Sequence, residues 1–172
     1  MGRALFIDKG LWYVHSHRDA NRFTLIAGGK QIFRDDGYKE KHTNYHNTLT
    51  INGVGQNGNI KIDTDDEVVP MATKSNNRRS FISSYQPSGS FVYAAGDATE
   101  AYKPNVGNNI VNKFKRHIAH VKGKMVVIID EIKLNTNAYP KLWFHPNVTD
   151  INRIELNPDG RININNTAVS SG

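Results

Sequence analysis

The sequence predicts an all-β protein, in the form of a two-layered antiparallel β-sandwich. Short apolar stretches rich in Val, Ile, Thr, Tyr and Phe recur along the chain, and tight-turn sequences with Gly, Asn and Asp separate them. No stretch has the apolar periodicity of an amphipathic helix. The chain has 172 residues, of which 38% are hydrophobic, which is enough for one core. We therefore interpret residues 1–172 as a single domain.

The strands predicted in the first half of the chain are separated by turn signals. The Lys9-Gly10 turn and the Gly28-Gly29 pair each separate two strand-like stretches. The two adjacent glycines at residues 28–29 are typical of a hairpin. A glycine-rich loop follows at residues 53–58. In order, we predict strands at residues 4–8, 11–14, 22–27, 30–34, 48–52, 59–63, 67–72, 80–86 and 90–95.

The clearest hairpin lies in the second half of the chain. Residues 111–121 and 125–134 flank the turn Lys122-Gly123-Lys124. The second arm begins MVVIIDEI, the most apolar run of the sequence, and we expect it to be a buried strand. The last strands are predicted at residues 142–145, 150–156 and 161–165, and the final two meet at the turn sequence Asn157-Pro158-Asp159-Gly160.

The charge balance indicates an anionic partner. The formal net charge is +6, from 22 basic and 16 acidic side chains, and a basic surface attracts anions. Nucleic acid, an acidic membrane surface and an acidic polysaccharide all fit the charge, as does a merely solvated basic surface. The sequence lacks known nucleic-acid-binding motifs and any apolar run near the ~20 residues of a membrane span. We therefore expect neither nucleic acid nor membrane as a partner.

A histidine pair is the first candidate for chemistry. His15 and His17 follow an apolar strand with one residue between them, and residues two apart in a strand face the same side. They could hold a metal or an anionic substrate, or simply be solvated loop residues. Because the chain has no cysteine, a metal would need His, carboxylate, amide or backbone ligands, with zinc favoured over manganese or iron. Cupins share the H-x-H pattern, but residues 18–22 offer no glutamate ligand.

Longer motifs around these histidines are more specific. HSHRDANRFTLIAGGKQIFRDDGY at residues 15–38 and YHNTLTINGVGQ at residues 45–56 resemble the motifs of the heparinase II/III-like polysaccharide lyases. The resemblance continues with GDATEAY at residues 96–102, KRH at residues 115–117 and WFH at residues 143–145. It spans residues 3–145 and is closest to the oligoalginate- and heparin-type branches.

The resemblance implies a fold and a reaction. In this family a two-layered β-sandwich follows an α/α toroid, and the sequence contains no such helical domain. The reaction is β-elimination on an acidic, uronic-acid-containing polysaccharide. Because the toroid carries the principal catalytic residues, we expect little or no activity from this chain alone. The resemblance also implies a periplasmic or extracellular parent protein, although the first residues, MGRALFID, show no signal-peptide pattern.

The resemblance also assigns roles to individual residues. The family's zinc ligands correspond to His17, Asp35 and His46, and the resemblance implies that this zinc is structural. Its catalytic or carboxylate-neutralising histidine falls on His15. A catalytic tyrosine in the following loop would be Tyr38 or Tyr45; we favour Tyr38, and we predict that Tyr45 and Arg18 contact substrate. Two alternatives stay open: a non-catalytic carbohydrate-binding or structural sandwich, and a cupin-like metal protein.

Overall fold

The computed structural model describes residues 5–7, 17–35, 42–56, 80–103, 108–148, 154–159 and 161–164. These residues form eleven β-strands and two short 3-10 helices, and they contain no α-helix. Every strand pair among them is antiparallel. The predicted all-β class is therefore confirmed.

The strands are short at both ends of the chain and long in the middle. The two 3-10 helices lie at Thr43–Tyr45 and Thr99–Tyr102. In chain order the strands are β1 Leu5–Ile7, β2 Phe23–Ala27, β3 Lys30–Phe33, β4 Leu49–Ile51, β5 Phe81–Pro87, β6 Phe91–Asp97, β7 Val111–Val121, β8 Met125–Leu134, β9 Pro140–Leu142, β10 Ile154–Leu156 and β11 Ile162–Ile164.

The largest sheet has the order β5-β6-β7-β8. Its β7–β8 hairpin has the bounds that the sequence predicted, and Gly123 adopts φ 76° in the connecting turn. Such a positive φ is readily available to glycine. Along this hairpin Arg116 pairs with Asp130, and His117 pairs with Ile129. Because neighbouring residues of a strand point to opposite faces, Arg116 and His117 lie on opposite faces of the sheet.

The other described strands form three smaller sheets. Strands β1, β2 and β3 form one sheet, β4 pairs with β9, and β10 pairs with β11. The core cluster joins β4 to β7 and to the second 3-10 helix. Its buried residues are Ala20, Leu49, Ile51, Ala98, Ala101, Tyr102, Val111 and Phe114.

Two strand predictions are wrong in part. The MVVIIDEI strand is not buried throughout, because Met125, Val127 and Ile129 are 53%, 39% and 60% exposed. They lie on the outer face of β8, at the end of the sheet order, whereas the alternate residues face inward. The strand expected at residues 142–145 is instead Pro140–Leu142. Beyond it the Trp143 N–H still donates to Thr48 O, whereas the His145 N–H donates to the Asn47 side chain.

Some expectations fall outside the described residues. The predicted strands at residues 11–14, 59–63 and 67–72 lie there, as do His15 and Tyr38. Strand β1 pairs with β2 through Leu5 and Leu25. Among the residues that the structure describes, no helix has the length and apolar character needed to cross a membrane.

Candidate metal centre

Three side chains from separate segments converge beside the β2–β3 hairpin. The potential ligand atoms of His17, Asp35 and His46 all lie within 4.8 Å of one another. His17 lies before β2 and Asp35 lies after β3. Because the two strands are antiparallel, the hairpin brings its two ends together. The 3-10 helix Thr43–Tyr45 then places His46 against them.

His46 is the most enclosed member of the cluster. Its side chain is fully buried, and its Nδ1 lies 3.0 Å from Asp35 Oδ2. The rings of His17 and His46 are 5.1 Å apart between centroids. Within the part of the chain that the structure describes, His46 Nε2 is buried and has no hydrogen-bond partner. Nδ1 is the ring nitrogen beside Asp35, so it is the one that could share an ion with that carboxylate. The unpartnered Nε2 lies on the other side of the ring and would not be part of that pair.

The donor set fits zinc. Two imidazoles and one carboxylate match the nitrogen and oxygen ligands that zinc accepts, and cysteine is not required. Two ligands of one tetrahedral zinc ion lie about 3.3 Å apart, given bond lengths of about 2.0–2.1 Å. The 3.0 Å between His46 Nδ1 and Asp35 Oδ2 is close to that separation. His17, Asp35 and His46 could therefore hold one ion.

The electrostatics keep Asp35 ionised, as a metal ligand must be. Burial favours the neutral acid and works to raise its pKa. The hydrogen bonds and positive charges of His46 and Arg22 outweigh burial and hold the pKa of Asp35 well below its usual range. Arg22 bonds Asp35 through Nη1, and its Nε lies 2.8 Å from Asp19 Oδ2. Asp19 thus orients the arginine that supports the cluster.

Asn47 fixes the backbone around the cluster. Its Nδ2 donates to Phe23 O at 2.9 Å and to Arg34 O at 2.8 Å. Its Oδ1 accepts the backbone N–H of His145 at 2.6 Å. One buried amide therefore joins three segments directly after His46. The sequence showed this residue only as part of an H-N-T motif; its three partners are 13 to 98 residues away.

The Gly55-Gln56 pair closes the turn after His17. Gln56 Oε1 accepts the Ala20 N–H at 2.8 Å, and Nε2 donates to Ala20 O at 2.9 Å. The Gln56 N–H donates to Thr43 Oγ1 at 2.9 Å. A Cβ at Gly55 would lie 2.4 Å from that same oxygen. Only glycine leaves room for this approach, which gives the G-x-G-Q motif a structural reason.

The other predicted site residues are only partly placed. His15 and Tyr38 lie outside the described residues. Arg18 is 3% exposed, and Tyr45 is half-buried directly before His46, with its ring 6.4 Å from that of His42. The catalytic and substrate-binding roles of these residues stay predictions.

Trp143 lies beside Thr48, and its ring has two close neighbours. The Lys141 ammonium lies 3.9 Å from the ring centroid, and His145 stacks at 6.5 Å with an interplanar angle of 4°. Its indole Nε1 donates to Thr50 Oγ1 at 2.9 Å. These contacts favour a structural role over a sugar-stacking platform.

Comparison of the chain with known protein families identifies its family. The model of the heparinase II/III-like C-terminal domain matches residues 4–169. The chain therefore belongs to the heparinase II/III-like C-terminal family, and the match covers nearly the whole sequence. A search of curated proteins found no match to the chain.

Proposed function

We propose that the chain is the β-sandwich domain of a polysaccharide lyase and binds one structural zinc ion through His17, Asp35 and His46. The family membership supports the enzyme class. The observation that supports the metal site is that three potential ligand atoms lie within 4.8 Å of one another. We propose a structural role because zinc bound there would join three separate segments of the chain. Three protein ligands would leave the fourth position of a tetrahedral ion to water or to a further ligand.

The proposed reaction is β-elimination on a uronic-acid-containing polysaccharide, such as a heparin-, heparan sulfate- or alginate-like chain. A group must neutralise the C5 carboxylate, a base must take the C5 proton, and an acid must protonate the departing O4. Neutralisation stabilises the charge that develops in the transition state. Histidine and tyrosine can perform the proton transfers. We assign His15 and Tyr38 to this chemistry, with Arg18 and Tyr45 contacting substrate.

The surface charge supports an acidic substrate. The net charge of +6 would raise the local concentration of a polyanion. The remaining catalytic groups would come from an α/α toroid domain, and the parent protein would act in the periplasm or outside the cell. The 172-residue chain would then form one side of a cleft that is completed by the second domain.

The metal is tested by elemental analysis of the purified chain, with His46→Ala beside it. We expect about one zinc per native chain and strong loss in His46→Ala, because a buried ligand is removed. His42→Ala is the matched control, since His42 lies in the same loop outside the cluster. A native chain without stoichiometric metal after zinc reconstitution would contradict the proposed centre.

The reaction is tested by the absorbance of unsaturated uronate on alginate, heparin, heparan sulfate and hyaluronan. We expect little or no product from the chain alone and turnover when a toroid domain is supplied. Robust turnover by the chain alone would contradict the division of catalytic groups. Glycan binding without turnover, even with the toroid present, would indicate a non-catalytic carbohydrate-binding domain instead.

A further inference from the structure

We propose that Arg116 is a positioning residue for the metal centre, which it would assemble from the opposite layer of the sandwich. Arg116 lies on the inner face of β7, and it is only 1% exposed. A buried arginine needs compensating partners, because an isolated charge is costly to remove from water. Its partners therefore indicate what the side chain does.

One side of the guanidinium is anchored to its own sheet. Nε donates to Asp130 Oδ1 at 2.7 Å, and Nη2 donates to Asp130 Oδ2 at 2.8 Å. This two-bond arrangement sets both the charge and the plane of the group. The guanidinium carbon lies 5.5 Å from the Phe23 ring centroid and 5.7 Å from that of Phe114. The arginine is thus held between the two layers in one orientation.

The remaining terminal nitrogen reaches the segments that carry the cluster. Nη1 donates to Asn21 O at 2.8 Å and to Asn47 O at 2.5 Å. Asn47 directly follows His46, and Asn21 lies in the turn between His17 and β2. One nitrogen of Arg116 therefore bridges the His17 segment and the His46 segment, which are 26 residues apart at these two carbonyls (47 minus 21).

The same network extends to Asp35. Arg22, the residue after Asn21, bonds the Asp35 carboxylate, and the Asn47 side chain holds Arg34 O beside it. Asn21 itself adopts φ 61°, a left-handed conformation that asparagine tolerates better than most residues. Its side chain donates to Gly96 O at 2.9 Å, which ties this turn to β6. All three ligand segments are therefore connected to Arg116 by short hydrogen-bonded paths.

Position 116 requires arginine because one planar group makes all four of these hydrogen bonds. Four hydrogen bonds leave Arg116 in a fork, two to Asp130 and one to each carbonyl. A lysine keeps the charge but has one nitrogen with three donors, so it cannot reproduce the fork. We therefore expect Arg116→Lys to loosen the ligand segments while retaining a cation near Asp130.

The test measures metal affinity, and it rests on the proposed zinc site. Native chain, Arg116→Lys and Ile118→Ala are titrated with zinc against a chelator, and the Co²⁺ absorption spectrum is recorded for each. We expect Arg116→Lys to bind about 10- to 100-fold more weakly, as when groups that orient ligands are lost, and to alter the Co²⁺ bands. Ile118 is buried on the same face of β7, and its truncation should lower thermal stability while leaving metal affinity within about twofold of native.

A second variant keeps the test decisive if Arg116→Lys does not fold. Arg116→Met combined with Asp130→Leu replaces the buried ion pair with apolar groups of similar size, which many proteins tolerate. It should fold, by circular dichroism, and still bind zinc weakly. Native-like affinity and Co²⁺ bands in either folded Arg116 variant overturn the positioning role alone. A native chain that binds no zinc overturns the proposed metal centre and this role together.

Discussion

The two faces of strand β7 carry similar charges in opposite environments. On the inner face Arg116 pairs with Asp130 of β8, and their side chains are 1% and 7% exposed. On the outer face Lys113 pairs with Glu131 of β8 at 2.5 Å, and their side chains are 35% and 49% exposed. His117, also on the outer face, lies 3.8 Å from Glu131 and 2.7 Å from the Tyr93 hydroxyl.

Burial decides what each pair contributes. The Lys113 hydrogen bond is the main cause that lowers the pKa of Glu131, with smaller contributions from the charges of Lys113 and His117. Water and salt screen that exposed pair, so its effect on stability is small. Removing one partner of the buried pair instead leaves a charge with no access to water. Proximity in the sheet is therefore a poor guide to energetic importance.

Asp130→Asn should have the largest effect, because it leaves the Arg116 guanidinium buried and uncompensated. We expect the free energy of unfolding to fall by about 3–5 kcal/mol. Urea unfolding followed by circular dichroism measures it. A loss below about 1 kcal/mol would mean that the two faces do not differ as burial predicts.

The buried phenol of Tyr102 should make the free energy of unfolding depend on pH. Burial raises the pKa of its phenol to about 12 from 10.0, against smaller opposing effects of Gln56, Thr48 and the charge of Arg116. The unfolded state therefore loses the proton first, so this contribution to stability is complete below pH 10 and is lost as pH rises to about 12. The loss should amount to roughly 2–3 kcal/mol.

Tyr102→Phe is the control for that pH dependence. The variant should be less stable than native at pH 8, because the hydroxyl donates to Leu49 O at 2.6 Å. The difference should narrow between pH 10 and 12, since phenylalanine does not titrate. Unfolding curves at matched pH values measure this, and a constant difference across that range would contradict the burial argument.

Gly55→Ala probes the close approach that supports the His17 turn. The added Cβ would lie 2.4 Å from Thr43 Oγ1 and 2.7 Å from Thr43 Cβ. We expect a loss of about 1–3 kcal/mol in unfolding free energy, which is typical of overpacking. Gly89→Ala is the matched control, because no atom lies within 4 Å of its added Cβ. Equal losses in the two variants would show that the effect is not steric.

Glu131→Gln should have the smallest effect. It removes the exposed charge that pairs with Lys113, and the released lysine can be solvated. We expect an unfolding midpoint indistinguishable from native at physiological salt, measured in parallel with Asp130→Asn. A shift comparable to that of Asp130→Asn would remove the distinction between the two faces.

Much of the fold could be predicted from local patterns. The β7–β8 hairpin was predicted with its observed bounds because its two alternating arms meet at a glycine turn. The exposure of one face of β8 was not predicted, because an apolar run does not reveal that one face lacks a covering layer. The bounds of β9 were also missed; beyond this strand the His145 N–H bonds the Asn47 side chain, 98 residues away along the chain.

The candidate site divides in the same way. Motifs assigned His17, Asp35 and His46 to one centre, and the described structure brings their ligand atoms within 4.8 Å. Their zinc stays a proposal, as do the roles of His15 and Tyr38. The proposed role of Arg116 was not foreseen, because the sequence shows KRH at residues 115–117 only as part of a motif and does not reveal which of these side chains is buried.

The sequence by itself determined the all-β class, the main hairpin, the family and the candidate ligands, because strand alternation, turn chemistry and motif order are local properties of the chain. Only the tertiary structure decided which charges are buried. Burial depends on the layer that packs against each strand face, and that layer comes from distant residues. The adjacent residues Arg116 and His117 illustrate the point: one joins the ligand segments from within the core, and the other faces the outer side of the sheet.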